Sequence, residues 1–274
     1  MPNFLSLETL TKYSLPHADA EVLSKALGAI NNGSVTVLGF SGKKGAGKDT
    51  FAEGFRKTLV SEGRQVDVVS FGGAVKGEAT SIIEQIRFWL KVENTSLGKS
   101  EFLAKLALTN NFSTANAEHI FNLVSIDIRN NDESLDGWSR TPSVLALVQY
   151  LGTDVRQPQD RLYWVRRTVQ DITVNAFMGV STIISDVRFF HEVETIQEIG
   201  AYVVRVNVSP EIQAERLAKR DSIVLTAAAL SHRSETELDA YEKFDDIVDN
   251  NYGDVNEKIR AAYSRYAQLE KVIG

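Results

Sequence analysis

The sequence predicts an α/β fold, a doubly wound parallel sheet that carries a phosphate-binding loop (P-loop), with helical regions appended to it. Three observations predict this. Short β-branched runs alternate with helical stretches along the chain, a glycine-rich loop separates the first such run from a helix, and 180–184 (VSTII) reads as a buried strand ending near Asp186. Strand and helix in alternation imply a parallel sheet, with ligands at the carboxyl ends of its strands.

The elements follow in order. Residues 5–30 carry apolar side chains at helical spacing and end in Asn31, Asn32 and Gly33, so 1–33 reads as an N-terminal helical extension ahead of a P-loop domain over 34–274. The run 34–40 (SVTVLGF) is a strand, 41–47 a loop, and Phe51, Phe55 and Leu59 share one face of the helix that follows. A second strand is expected over 66–71 and a helix over 74–90, after which 91–137 is polar and irregular, with short amphipathic pieces such as 117–124, and reads as an insertion. Helices are expected over 141–151, 160–177 and 190–199, a strand over 202–208, and a helix opened by Pro210 that runs to Arg220. A polar stretch to residue 237, a short strand at 246–249 and an amphipathic helix over 255–273 close the chain.

Composition narrows the function. At 274 residues, 43% hydrophobic and 24% charged, the chain has the profile of a soluble globular protein without a membrane span. Its 30 basic residues against 36 acidic ones give a net charge of -6, so no nucleic-acid backbone is expected as partner and any bound anion must be gripped locally. The absence of cysteine excludes disulfides, thiolate metal sites and a cysteine nucleophile, and fits a reducing compartment. No basic stretch precedes a long apolar run at the start, so the cytoplasm is the expected location.

The strongest chemical signal is Gly42, Lys43, Lys44, Gly45, Ala46, Gly47, Lys48, Asp49, Thr50, which matches G-x-x-x-x-G-K with aspartate where serine or threonine usually stands. Glycines let backbone N–H groups converge on phosphate oxygens, the helix adds its positive end, and Lys48 supplies a mobile cation for the β- and γ-phosphates. Asp49 could bind Mg²⁺ directly, hold it through water, orient Thr50 as the ligand, or only charge the helix N-terminus. Asp186, at a strand end, is a second candidate for Mg²⁺, and Arg188 could reach a phosphate. Arg216 and Arg220 lie four apart on one helix face before a polar stretch, where a lid of about 216–237 could bring them to the charge that develops in phosphoryl transfer. Lys76, Arg156 and Arg161 are further cations for an acceptor's phosphate, and the four histidines show no metal-ligand spacing.

Several blocks resemble the deoxynucleoside monophosphate kinases of tailed bacteriophages: 42–50 (GKKGAGKDT), 147–154 (LVQYLGTD), 160–165 (DRLYWV), 186–188 (DVR), 232–238 (HRSETEL) and 248–251 (VDNN). The resemblance runs from about residue 34 to the end and leaves 1–33 and 91–137 uncovered. It implies a P-loop kinase fold with an acceptor-binding region within about 72–165 and a lid, with ATP and Mg²⁺ as cofactors and a deoxynucleoside monophosphate as the small-molecule partner. It implies that the loop, with Lys48, holds ATP, that Asp186 and Arg188 face the reacting phosphates, and that Asn250 lies near the donor base. Lys76, Gln149, Asp154, Arg156 and Trp164 are implied near the acceptor. Relatives often carry an arginine shortly before the glutamine of the LGTD block; Leu145, Ala146 and Leu147 stand there, so Arg140 or Arg156 is the expected substitute. A kinase for phosphomevalonate or dephospho-coenzyme A, and a P-loop ATPase acting on a partner, are the alternatives; a homodimer is compatible with every reading.

Overall fold

The computed structural model describes residues 5–15, 18–92, 98–131, 134–221 and 233–273. The chain divides into two compact units, one of Met1–Phe71 with Val165–Gly274 and the other of Gly72–Trp164. Among the described residues no helix is long and apolar enough to cross a membrane.

The first unit is built on five parallel strands: β1 Val37–Ser41, β2 Val66–Val69, β3 Ser181–Val187, β4 Tyr202–Asn207 and β5 Asp246–Asp249. Their spatial order is β2-β3-β1-β4-β5, which puts β1 in the middle with β3 on one side and β4 on the other. Strand order reverses around β1, so the crevice past its carboxyl end is the ligand position of this architecture. All five residues of β1 are buried, as a central parallel strand covered on both faces requires. Four strands differ from expectation at their ends: β1 runs over 37–41 instead of 34–40, β4 stops at Asn207, and β2 and β3 shift as follows. β3 continues to Val187, which is buried and pairs with Ser41, so Asp186 lies within the strand. β2 stops at Val69 because Phe71 already belongs to the next helix.

Helix α3, Lys48–Ser61, buries Phe51, Phe55 and Leu59 at four-residue spacing against the sheet. Phe55 meets Phe40 of β1 edge-on at 5.1 Å and Tyr263 of the C-terminal helix Val255–Ile273 at 5.2 Å, which locks helix, sheet and helix into one core. The helical extension expected at the N-terminus consists of α1 Leu7–Tyr13 and α2 Ala20–Asn31, the second started by Asp19, which accepts the N–H groups of Glu21 and Val22. They are held to the rest of the first unit in part through Tyr13, whose hydroxyl donates to Glu198 at 2.8 Å.

The second unit is helical. It contains most of α4 (Phe71–Lys91), α5 (Lys99–Asn110), α6 (Thr114–Asn131), α7 (Pro142–Gln149), a π-helical stretch Tyr150–Val155 and α8 (Arg156–Gln159), and ends as α9 (Tyr163–Phe177) begins. The irregular insertion expected over 91–137 is therefore corrected. Its two helices bury Phe102, Leu103 and Leu106 from α5, and Ile120, Phe121 and Val124 from α6, in one core with Ile82, Ile83 and Ile86 of α4. Leu108 and Ile126 point outward and blur the apolar stripe that would have announced these helices. Returning to the first unit, α10 (Phe190–Glu198) precedes β4, and α11 (Pro210–Asp221) follows it.

Candidate active site

The loop leaves β1 at Ser41 and enters α3 at Lys48. Gly45 and Gly47 take left-handed φ values of 82° and 97°, which an L side chain resists. At Gly47 there is also no room, because a Cβ would lie 2.6 Å from Nδ2 of Asn250. Gly47 caps α3 without a side chain, so the first turn of the helix offers backbone N–H groups and the positive end of its dipole to an anion.

The loop is braced from two sides. Asn250, buried just past β5, donates from Nδ2 to the Ala46 carbonyl at 2.8 Å, and its own carbonyl accepts from Arg216 at 2.7 Å. Gln213, a buried residue of α11, donates to the Lys44 carbonyl at 2.7 Å. Sequence reasoning missed Gln213, since one glutamine in an amphipathic helix carries no signal. A cavity of about 580 Å³ runs along the loop from Lys44 to Thr50 and on to Arg216, Asn250 and Gly253.

Lys48 is 8% exposed, with its ammonium 3.6 Å from the Asp49 carboxylate. Burial first, and then the like charge of Arg188, hold its pKa below the ordinary lysine value, while Asp49, Asp186 and Glu235 pull the other way. Asp186 accepts the Phe71 N–H at 2.7 Å. Arg188 is held at both ends: its N–H donates to Glu192 at 2.7 Å and its guanidinium pairs with Glu235. Glu192 is buried, and loss of water pushes its carboxyl up to about 8 against the opposing pull of the Arg188 and Phe189 N–H groups. Glu235, whose other oxygen accepts the Lys44 N–H at 2.7 Å, was likewise not singled out from the sequence, although it stands inside the HRSETEL block.

The structure thus brings Gly42, Lys44, Gly45, Ala46, Gly47, Lys48, Asp49, Thr50, Asp186, Arg188, Arg216 and Asn250 to the loop end of one sheet. The side chain of Arg220 and residues 222–232, His232 among them, lie outside the described residues. Among the described residues no group of three or more histidines and carboxylates forms a metal cluster. Asp49, Thr50 and Asp186 supply oxygen donors only, the kind Mg²⁺ accepts when it arrives with a nucleotide's phosphates and keeps several waters.

The other candidates belong to the second unit. The Lys76 ammonium sits 4.5 Å from the centre of the Trp138 ring. Arg140, Gln149 and Asp154 are exposed. Trp164 is buried, its indole N–H donating to the Gly152 carbonyl at 3.1 Å. Arg156 departs from its expected role. It is 4% exposed, pairs with Glu78 at 2.6 Å, donates to the Asn110 carbonyl at 2.7 Å, and lies between the rings of Phe112 and Tyr163 at 4.5 and 4.7 Å. That guanidinium is committed to holding the helices together.

The family model for deoxynucleotide monophosphate kinases matches residues 76–251. The chain belongs to this family. The match spans most of the second unit and continues through Asp186, Arg188, Arg216, Glu235 and Asn250, so family membership reaches both units. A kinase acting on a small nucleotide substrate is what this membership implies. No curated protein sequence matches the chain. Among solved structures, the protein TT1252 of Thermus thermophilus is similar at 15% identity and a TM-score of 0.43, over 86% of this chain and 98% of that one.

Proposed function

We propose that the protein transfers the γ-phosphoryl of ATP directly, in line, to a deoxynucleoside monophosphate. One observation carries this reading: a glycine-shaped loop at the carboxyl end of the central strand, with buried Lys48 at its helix and, alongside, a cavity of about 580 Å³, a volume within the usual range of small-molecule sites. The triphosphate lies on the loop amides and Lys48, and Arg216 and Asn250 flank the nucleoside. Mg²⁺, when bound with ATP, would be held by Asp49 or Thr50 and, through water, by Asp186, and would neutralise charge on the phosphates. Arg188 and Lys48 meet the migrating phosphoryl as charge stabilisers. No enzyme nucleophile is needed, since such a transition state asks chiefly for positioning and charge neutralisation.

The acceptor is recognised by the second unit, with Lys76, Arg140, Gln149, Asp154 and Trp164 as its residues and Arg156 as their support. The family match favours a deoxynucleotide over phosphomevalonate or dephospho-coenzyme A. ADP release, measured with ATP and magnesium across the four deoxynucleoside monophosphates and their ribose counterparts, tests the reading. Release that depends on at least one deoxynucleotide is the expected result. Release without any acceptor, or only with a non-nucleotide phosphate, would overturn it.

A further inference from the structure

After residue 232 the chain comes back across the end of the sheet as a short helix, Arg233–Thr236, followed by a 3-10 turn, Glu237–Ala240. Carboxylates at three alternate positions of this strap grip the loop edge of the first unit. Glu235 accepts the Lys44 N–H at 2.7 Å with one oxygen and pairs with Arg188 through the other. Glu237 accepts the Phe190 N–H at 3.1 Å, and Asp239 pairs with Lys43 at 2.7 Å and with Arg205 at 3.3 Å. Of the three, Glu235 is the one that joins a loop amide to a cation of the candidate site, and its side chain is only 10% exposed.

The need for such a joint is electrostatic. Arg188 directly follows Val187, which pairs with Ser41 at the start of the loop, and its positive charge helps hold the buried Lys48 ammonium below the ordinary lysine value. A long arginine beside a buried ammonium gains by swinging into water, where the repulsion is screened. Glu192 accepts the arginine's backbone N–H. The guanidinium is held by Glu235, and Glu235 is itself fixed to the rigid loop.

We propose that Glu235 is a positioning residue for phosphoryl transfer: anchored to the Lys44 N–H, it holds the Arg188 guanidinium beside Lys48 so that both cations meet the migrating phosphoryl group together. This rests on the kinase reading above. A residue that acts through the reacting geometry changes turnover more than ground-state binding. Nothing in the family match or in the other comparisons assigns Glu235 a role.

The test compares wild type with Glu235→Gln, Glu235→Ala, Arg188→Ala and the double variant Glu235→Ala/Arg188→Ala. It reads kcat with a deoxynucleotide acceptor, ATP affinity by calorimetry and the thermal midpoint. Glu235→Gln should lower kcat about 10- to 100-fold, the scale on which a misplaced charge-stabilising group is felt, with ATP affinity within about threefold of wild type. The double variant should be no slower than Arg188→Ala, because both changes act through one guanidinium. If Glu235→Ala fails to fold, Glu235→Gln carries the test, since it keeps the size and an acceptor for the Lys44 N–H. Wild-type turnover in Glu235→Gln would overturn the proposal, as would costs that multiply in the double variant. So would a gain of about tenfold or more in ATP affinity, which would mark Glu235 as a stand-in for phosphate instead. A wild-type protein that binds ATP but phosphorylates no acceptor would bring down the kinase reading itself, and the positioning role with it.

Discussion

Arg156 and Arg188 are both paired with a glutamate, yet they sit in opposite settings. Arg156, in the helical unit, is enclosed by Glu78, two backbone carbonyls, Gln159 and two aromatic rings. Arg188, at the loop end of the sheet, is pinned at its backbone by Glu192 and at its head by Glu235, and stands beside a second cation. The difference separates two uses of one side chain. A guanidinium whose faces and edges are all occupied ties a core together, whereas one held by a carboxylate beside another positive charge has the setting that the proposed phosphoryl-binding role calls for.

The comparison can be broken most forcefully at Arg156. Arg156→Ala leaves the Glu78 carboxylate buried without its partner and should cost about 3–5 kcal/mol in denaturant unfolding. Arg156→Lys should recover little, since lysine cannot fill the planar slot between Phe112 and Tyr163. A loss below about 1 kcal/mol would mean that the arginine is not a core tie. Next in size, Lys48→Ala should lower kcat at least about a hundredfold in steady-state assays while the protein stays folded, because a preorganised cation is lost where charge develops. Gly47→Ala should follow. A left-handed residue with a Cβ costs about 1–2 kcal/mol, and here the Cβ also meets Asn250, so ATP affinity measured by calorimetry should fall about tenfold.

A further test, in pH dependence, concerns the group behind Arg188. Burial raises the Glu192 carboxyl to about 8 from an ordinary 4.5, so the folded protein keeps a proton that the unfolded chain releases between those values. Stability linked to this group is therefore full below about pH 4.5 and falls as pH rises through about 8. Glu192→Gln should remove that fall: unfolding curves of variant and wild type should lie close at about pH 5 and diverge in favour of the variant by about pH 9. Curves that stay parallel would show Glu192 ionised throughout and would place a second full negative charge behind Arg188.

The sheet and the loop are legible in the sequence because their determinants are local. All five strands overlap the segments expected for them, and the glycine spacing of 42–47 dictates its own backbone. The helical unit is less legible because its cores are made by distant partners. Phe102 and Phe121 gain their meaning from Trp89, which the former stacks on at 4.8 Å and the latter meets edge-on at 5.7 Å, and neither contact is visible in a local window. The π-helical turn over Tyr150–Val155 also gives no periodic signal, so the expected helix over 141–151 ends where the chain only widens its winding. At the candidate site, charged residues were readable as types but not as pairs. Arg156 and Arg188 look alike in sequence, and only the carboxylates facing them, Glu78 and Glu235, tell them apart.

The sheet's wiring also bears on how the chain reaches its native state. β1 pairs with β3 across the entire helical unit, and the bond from the Thr36 N–H to the Ser181 hydroxyl joins positions 145 apart. β2 waits on the same partner, so during synthesis neither early strand can find its neighbour until the ribosome has passed Val187. Such distant pairing makes for a slow, late nucleation step, and until then the unpaired edges of β1 and β2 are open to other nascent chains.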